Sequence, residues 1–176
     1  DERLTALFNQ SDEASLRRNP INALYRGDLR YADQLGDYVS DAYFAAERAA
    51  SEADLKALAA IDRAQLSPTN QLAFDVFKWQ TEIARKGLAP DMLALTAVRP
   101  LDHFNGFQVF YPDIASGEGA APFNSVADYD NNLKRNHQYV ALIDAAIGRF
   151  REGMASGIVQ PRLVVRNMIE QLDTQI

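Results

Sequence analysis

The chain has 176 residues, 47% of them hydrophobic and 24% charged, which suits one domain with a real core and excludes wholesale disorder. Its formal net charge of -6 argues against a general nucleic-acid surface, because that needs clustered Lys and Arg. There is no cysteine, which removes disulfides, thiolate zinc sites and cysteine nucleophiles together.

No apolar run approaches the roughly 18 residues needed to span a bilayer. The longest, such as "MLALTAV" (Met92 to Val98), suit buried core. The chain opens at Asp1 without a basic and apolar leader, so either no leader exists or it precedes this numbering.

In chain order, residues 2–18 give a first helix with Leu4, Leu7, Phe8 and Leu16 as its apolar positions. Asn19-Pro20 breaks it, since the residue before proline is pushed out of helical space. Ile21 to Tyr38, with Gly27, Gly36 and three tyrosines, reads as loop. Ser40 caps the next helix, and Ser51 with Asp54 reads as a capping box that starts another. Ser67-Pro68 is a strong start signal. After it, Leu72, Val76, Trp79 and Ile83 fall on one helical face, and Gly87 and Pro90 end the helix.

Residues 88–124 are punctuated by Pro90, Pro100, Pro112 and Pro122. Within them "FNGFQVFY" places Phe107, Val109 and Tyr111 on alternate positions, which predicts a short strand or hairpin. Ser125 and Asp128 then form a capping box before a helix with Tyr129, Leu133, Val140, Ile143 and Ile147 as its buried stripe. Gly153 and Gly157 lie near its stop, and Pro161 begins the last helix. The expected fold is therefore mainly α: a multi-helix array, residues 1–176 as a single domain, with a short β excursion near residues 94–111.

Candidate chemistry is sparse. His103 and His137 are the only histidines, and neither has a second histidine four residues away. The "HExxH" spacing that brings two imidazoles to one zinc is therefore absent. Carboxylate pairs such as Glu52/Asp54 and Asp128/Asp130 lie near expected helix starts, where the dipole favours them. No phosphate-cradling loop and no nucleophile elbow are present.

"REGMASGIVQPRLVVRNMIEQL" (Arg151 to Leu172) has the helix–turn–helix outline of a DNA reader, with Arg149, Arg151, Arg162 and Arg166 locally basic. Its second helix opens with consecutive Leu163, Val164 and Val165, which predicts burial rather than base contact. No nucleic acid is expected as a partner. The segment "DHFNG" sets polar groups beside a glycine that lets a backbone approach closely. His103, Phe104, Asn105, Gly106 and Gln108 are the substrate-contact candidates there; no catalytic and no metal residue is assigned.

These strings carry a resemblance. "FREGMASGIVQPRLVVRNMIEQL", the "YDNNLKR" helix after "FNSVADY", the "GFQVFYPDIASG" segment and "AAIDRAQLSPTNQLAFDVFKWQ" together resemble the bacterial DUF885 family of uncharacterised proteins. The likeness runs from roughly residue 20 to the end. Members are longer, mostly α-helical, and resemble zinc metallopeptidases of the gluzincin type, with the "HExxH" helix in the C-terminal half. The resemblance implies an N-terminal helical region that shapes a substrate cleft. That region binds no cofactor itself, while zinc and a peptide substrate belong to the full-length protein and its C-terminal catalytic region. It also implies a periplasmic or cell-envelope location. A stand-alone helical binding module is the alternative that the residues alone leave open.

Overall fold

A computed structural model describes residues 1–174; Gln175 and Ile176, the end of the expected 1–176 domain, lie outside the described residues. The chain divides into two compact units, residues 1–18 with 40–93 and residues 19–39 with 94–176. All regular structure among the described residues is helical.

The first unit holds α1 (Glu2–Arg18), α3 (Asp41–Ala59) and α4 (Pro68–Gly87), with α3 packed on both α1 and α4. Leu4, Leu7, Leu58, Leu66 and Phe74 form its core, with Phe8 and Phe77 tilted against each other at 4.9 Å. Serines start two of these helices as expected. Ser40 Oγ accepts from the Tyr43 amide at 3.0 Å, and Ser67 Oγ from the Asn70 amide at 3.4 Å. Ser51 does not start a helix. It lies inside α3, where its hydroxyl donates back to the Glu47 carbonyl at 3.0 Å. A serine that satisfies itself within the preceding turn does not need to act as a cap. Its expected partner Asp54 instead accepts from Ser11 at 2.6 Å.

The second unit holds α2 (Pro20–Tyr25), α6 (Phe107–Ser116), α7 (Val126–Ser156) and α8 (Arg162–Asp173), with α5 (Pro90–Thr96) crossing the boundary in sequence. Its core includes Leu24, Leu35, Tyr111, Ile114, Leu142 and Ala146. The expected loop from Ile21 to Tyr38 contains α2 and a 3-10 turn at Leu29–Tyr31. Pro20 ends one helix and, with its fixed φ, opens the next.

The expected β excursion near residues 94–111 is helical. Phe107, Tyr111 and Ile114 are buried at spacings of four and three, while Val109 is 43% exposed. The helical period thus beats the alternation in a run short enough to fit both. Pro112 inside α6 removes a helical hydrogen bond at a cost of about 3 kcal/mol. Burial of three large side chains, each worth roughly 1.5–3 kcal/mol, offsets it.

Other burial expectations are also corrected. On α7 the buried positions are Asn132, Arg135, Leu142, Ala146 and Gly153. Tyr129, Leu133, Val140 and Ile147 of the expected stripe are exposed, and only Ile143 packs partly against the core. Met92 and Leu95 are exposed, and so are Leu163 and Val165 of the "LVV" run. Period alone states that a face is apolar; it does not state that anything covers it.

Tyr111 gives a pH test of this core. It donates to Asn136 Oδ1 at 2.6 Å and stacks on Tyr139 at 4.1 Å. Burial pushes its phenol up to about 12, partly countered by Arg135. The folded state therefore holds this proton more tightly than the unfolded chain, whose phenol titrates near 10. That stabilisation is full below about pH 10 and is lost as pH rises toward 12. Urea midpoints measured across this range are expected to fall above pH 10, with a shallower fall in Tyr111→Phe.

Candidate functional site

The residues singled out in the sequence converge on the turn before α6. Asp102 organises it. Its Oδ1 accepts from the backbone amides of Phe104 at 2.6 Å and Asn105 at 2.8 Å, and its Oδ2 from Asn105 Nδ2 at 3.3 Å. Hydrogen bonds from Asn105 and then Phe104, with the nearby His103, hold the Asp102 carboxyl below the usual carboxylate range. The Asp102 carbonyl accepts from the Gly106 amide at 3.1 Å and from Gln108 Nε2 at 2.8 Å. Gln171 on α8 closes the network by donating to the His103 carbonyl at 2.8 Å.

Gln108 is 1% exposed and points into this network rather than outward. Gly106 is buried as the residue before α6. A Cβ there would lie 2.0 Å from Gln108 Oε1 and 2.6 Å from the Asp102 carbonyl oxygen, so any side chain there forces Gln108 or the turn's backbone to move. Phe104, by contrast, is 74% exposed, with its ring 4.0 Å from that of His103. His103 Nδ1 is buried without a hydrogen-bond partner among the described residues. Beside them an open groove of about 440 Å³ is lined by Arg99, Asp102, His103, Phe104, Gln160 and Val164. The five candidates thus share one turn, but only His103 and Phe104 line the groove. With residues 107–116 helical, there is no strand edge here for a peptide to join.

Nδ1 of His137 is hydrogen-bonded to the Leu133 carbonyl at 2.8 Å, one turn back on α7. Among the described residues no group of three or more His, Asp or Glu side chains is placed to hold a metal.

The basic cluster around the α7–α8 connection is smaller than the sequence suggests. Arg149 is committed internally, donating to the Val39 carbonyl at 2.8 Å and pairing with Glu152 at 2.9 Å. Arg166 lies 3.8 Å from Glu170.

One site escaped the sequence reading. A cavity of about 290 Å³ beside the start of α7 is lined by Leu24, Ala121, Asn124, Asp128, Asn131 and Arg135, among others. Arg135 is 1% exposed, although a charged side chain is almost never fully buried without an opposite charge. Its guanidinium donates to the Ala32 carbonyl and, at 3.3 Å, to Asn132 Oδ1. The signal available in sequence was the spacing Asp128, Asn131/Asn132, Arg135, which places polar residues along one side of a helix.

No curated protein and no solved structure matches the chain. The model of the family described as a bacterial protein of unknown function (DUF885) matches residues 20–176. That match covers most of the sequence, and the chain belongs to this family.

Proposed function

We propose that this chain is the N-terminal helical region of a larger zinc-dependent peptidase, that it shapes one side of the substrate cleft, and that it is not catalytic alone. The observation behind the reading is ordered apolar surface that nothing among the described residues covers. On α4, Leu72, Val76, Trp79 and Ile83 form one face and are 65%, 46%, 64% and 48% exposed. On α8, Val165, Ile169 and Leu172 likewise share one face and are exposed. Isolated surface hydrophobics are ordinary, but aligned large ones mark surfaces that seat other polypeptide. A catalytic region of the same protein is the occupant that this reading supplies. The peptide side of the reading is the groove beside His103, where Phe104 offers an exposed aromatic contact.

The test compares the 176-residue chain with the longer gene product. With added zinc, the chain is expected to leave a mixed peptide substrate intact. The longer product is expected to cleave it and to lose activity on chelation. Hydrolysis by the chain alone, lost in His103→Ala or His137→Ala, sinks the proposal; so does a longer product without metal-dependent activity. A periplasmic or cell-envelope location belongs to the same proposal and is read by fractionating cells.

The exposed face makes its own prediction. Trp79 is the single tryptophan. Trp79→Lys is expected to change stability by no more than about 0.5 kcal/mol, as for other surface substitutions. It is also expected to reduce self-association in sedimentation experiments. A loss of several kcal/mol would show that the face is covered within the chain.

A further inference from the structure

We propose that the cavity beside the start of α7 binds a small monocarboxylate, a free α-amino acid or the C-terminus of a short peptide, with Arg135 as its cationic contact. The inference is independent of the peptidase reading.

Its first support is the state of Arg135. Removing a guanidinium from water is costly unless a counter-charge and acceptors replace the water. Here two acceptors are present, the Ala32 carbonyl and Asn132 Oδ1, and both are neutral. Among the described residues, Nε is buried with no partner and no carboxylate lies within ion-pair reach. Asp128 and Asp33 act on it only at longer range, and Asp33 pairs with Lys134 at 3.4 Å. A guanidinium has five N–H donors in a planar fork that matches a carboxylate. The fold thus holds a desolvated cation with donor capacity to spare at the side of a cavity.

The cavity walls narrow the ligand class. Leu24, Leu29, Ala121 and Pro122 supply an apolar side, and the Asn131 carboxamide forms no hydrogen bond among the described residues. A volume of about 290 Å³ suits a ligand the size of one amino acid or a small dipeptide. Asp128 sets the charge limit. Its Oδ2 accepts from the amides of Asn124 and Ser125 and from the Ser125 hydroxyl, at 2.8 to 3.0 Å. These bonds, Ser125's first, hold its carboxyl below the usual range, so it stays negative. A fixed negative charge in the same cavity repels a phosphate dianion. It tolerates a single carboxylate on the guanidinium and favours an ammonium group nearby. The capping box also occupies the first turn of α7, so the guanidinium, and not the helix end, is the anion contact.

Two-dimensional amide NMR of the purified chain tests this with L-leucine, N-acetyl-L-leucine, Ala-Leu, L-leucinamide and inorganic phosphate. At least one of the three carboxylates is expected to give saturable shifts at Ala32, Ala121, Asn131 and Arg135. Leucinamide and phosphate are expected to give none. Tighter binding of L-leucine than of Ala-Leu assigns the site to free amino acids; the reverse assigns it to peptide C-termini. Arg135→Lys keeps a positive charge but loses the fork, and is expected to bind at least about tenfold more weakly. Asn131→Phe leaves both Arg135 hydrogen bonds in place while filling the cavity, and is expected to abolish the shifts. The proposal is overturned if no carboxylate saturates below about 20 mM, if leucinamide or phosphate binds as well as the carboxylates, or if Asn131→Phe binds normally.

Discussion

Gly106→Ala is expected to destabilise the protein by roughly 2–3 kcal/mol, the upper range for overpacking a filled site. The added methyl meets Gln108 Oε1 at 2.0 Å, Gln108 Nε2 at 2.5 Å and the Asp102 carbonyl oxygen at 2.6 Å. All three separations are too short to persist, so either Gln108 or the backbone of the turn must move. Movement of Gln108 breaks its bond to Asp102 O and its 3.3 Å contact with Gln171 on α8. Urea unfolding reads the loss as a lower midpoint at unchanged slope. The double variant Gly106→Ala/Gln108→Ala separates the two causes. It is expected to be less destabilised than the sum of the single variants, because the second change removes the obstacle created by the first. Strict additivity would place the strain entirely in the backbone. A stability within about 0.5 kcal/mol of wild type for Gly106→Ala would show that the turn is looser than its hydrogen bonds imply.

Local signals carried well from sequence to structure because they depend on a few neighbouring residues. Ser40, Ser67 and Ser125 stand at helix starts, and Gly157 ends α7 with φ 78°. Pro20 ends α1 and opens α2. Burial carried poorly because it depends on what another element covers. Leu72, Val76, Trp79 and Ile83 do lie on one face of α4, yet Phe74 supplies that helix's buried contact. On α7 the sequence offered an apolar stripe, and the fold buried Asn132 and Arg135 instead. The turn at 102–108 was legible as polar residues beside a glycine. That Gln108 would face inward was not, because its partner Gln171 is distant in sequence. The cavity was invisible for the same reason. Its lining comes from α2, the 3-10 turn that follows it, the segment before α7 and α7 itself.

Arg135 offers the sharpest separation of stability from function. Arg135→Ala is expected to cost about 3 kcal/mol or more, because it leaves the Ala32 carbonyl and Asn132 Oδ1 without their donor and opens a void. Arg135→Met fills most of the same volume with an unbranched chain and removes a charge that is expensive to bury. The two lost hydrogen bonds, about 1.5–3 kcal/mol each for a charged donor, then oppose a desolvation penalty of several kcal/mol that no longer applies. The two contributions are of similar size, so Arg135→Met is expected to unfold within about 1 kcal/mol of wild type. If the arginine served only the fold, the near-neutral methionine variant would behave as wild type in every assay. If it holds a carboxylate, the same variant keeps its urea midpoint and loses the leucine-induced amide shifts. Retained folding with lost binding is the expected pair of results. A methionine variant as unstable as the alanine variant would instead make Arg135 a structural donor, its two acceptors outweighing the cost of burying its charge.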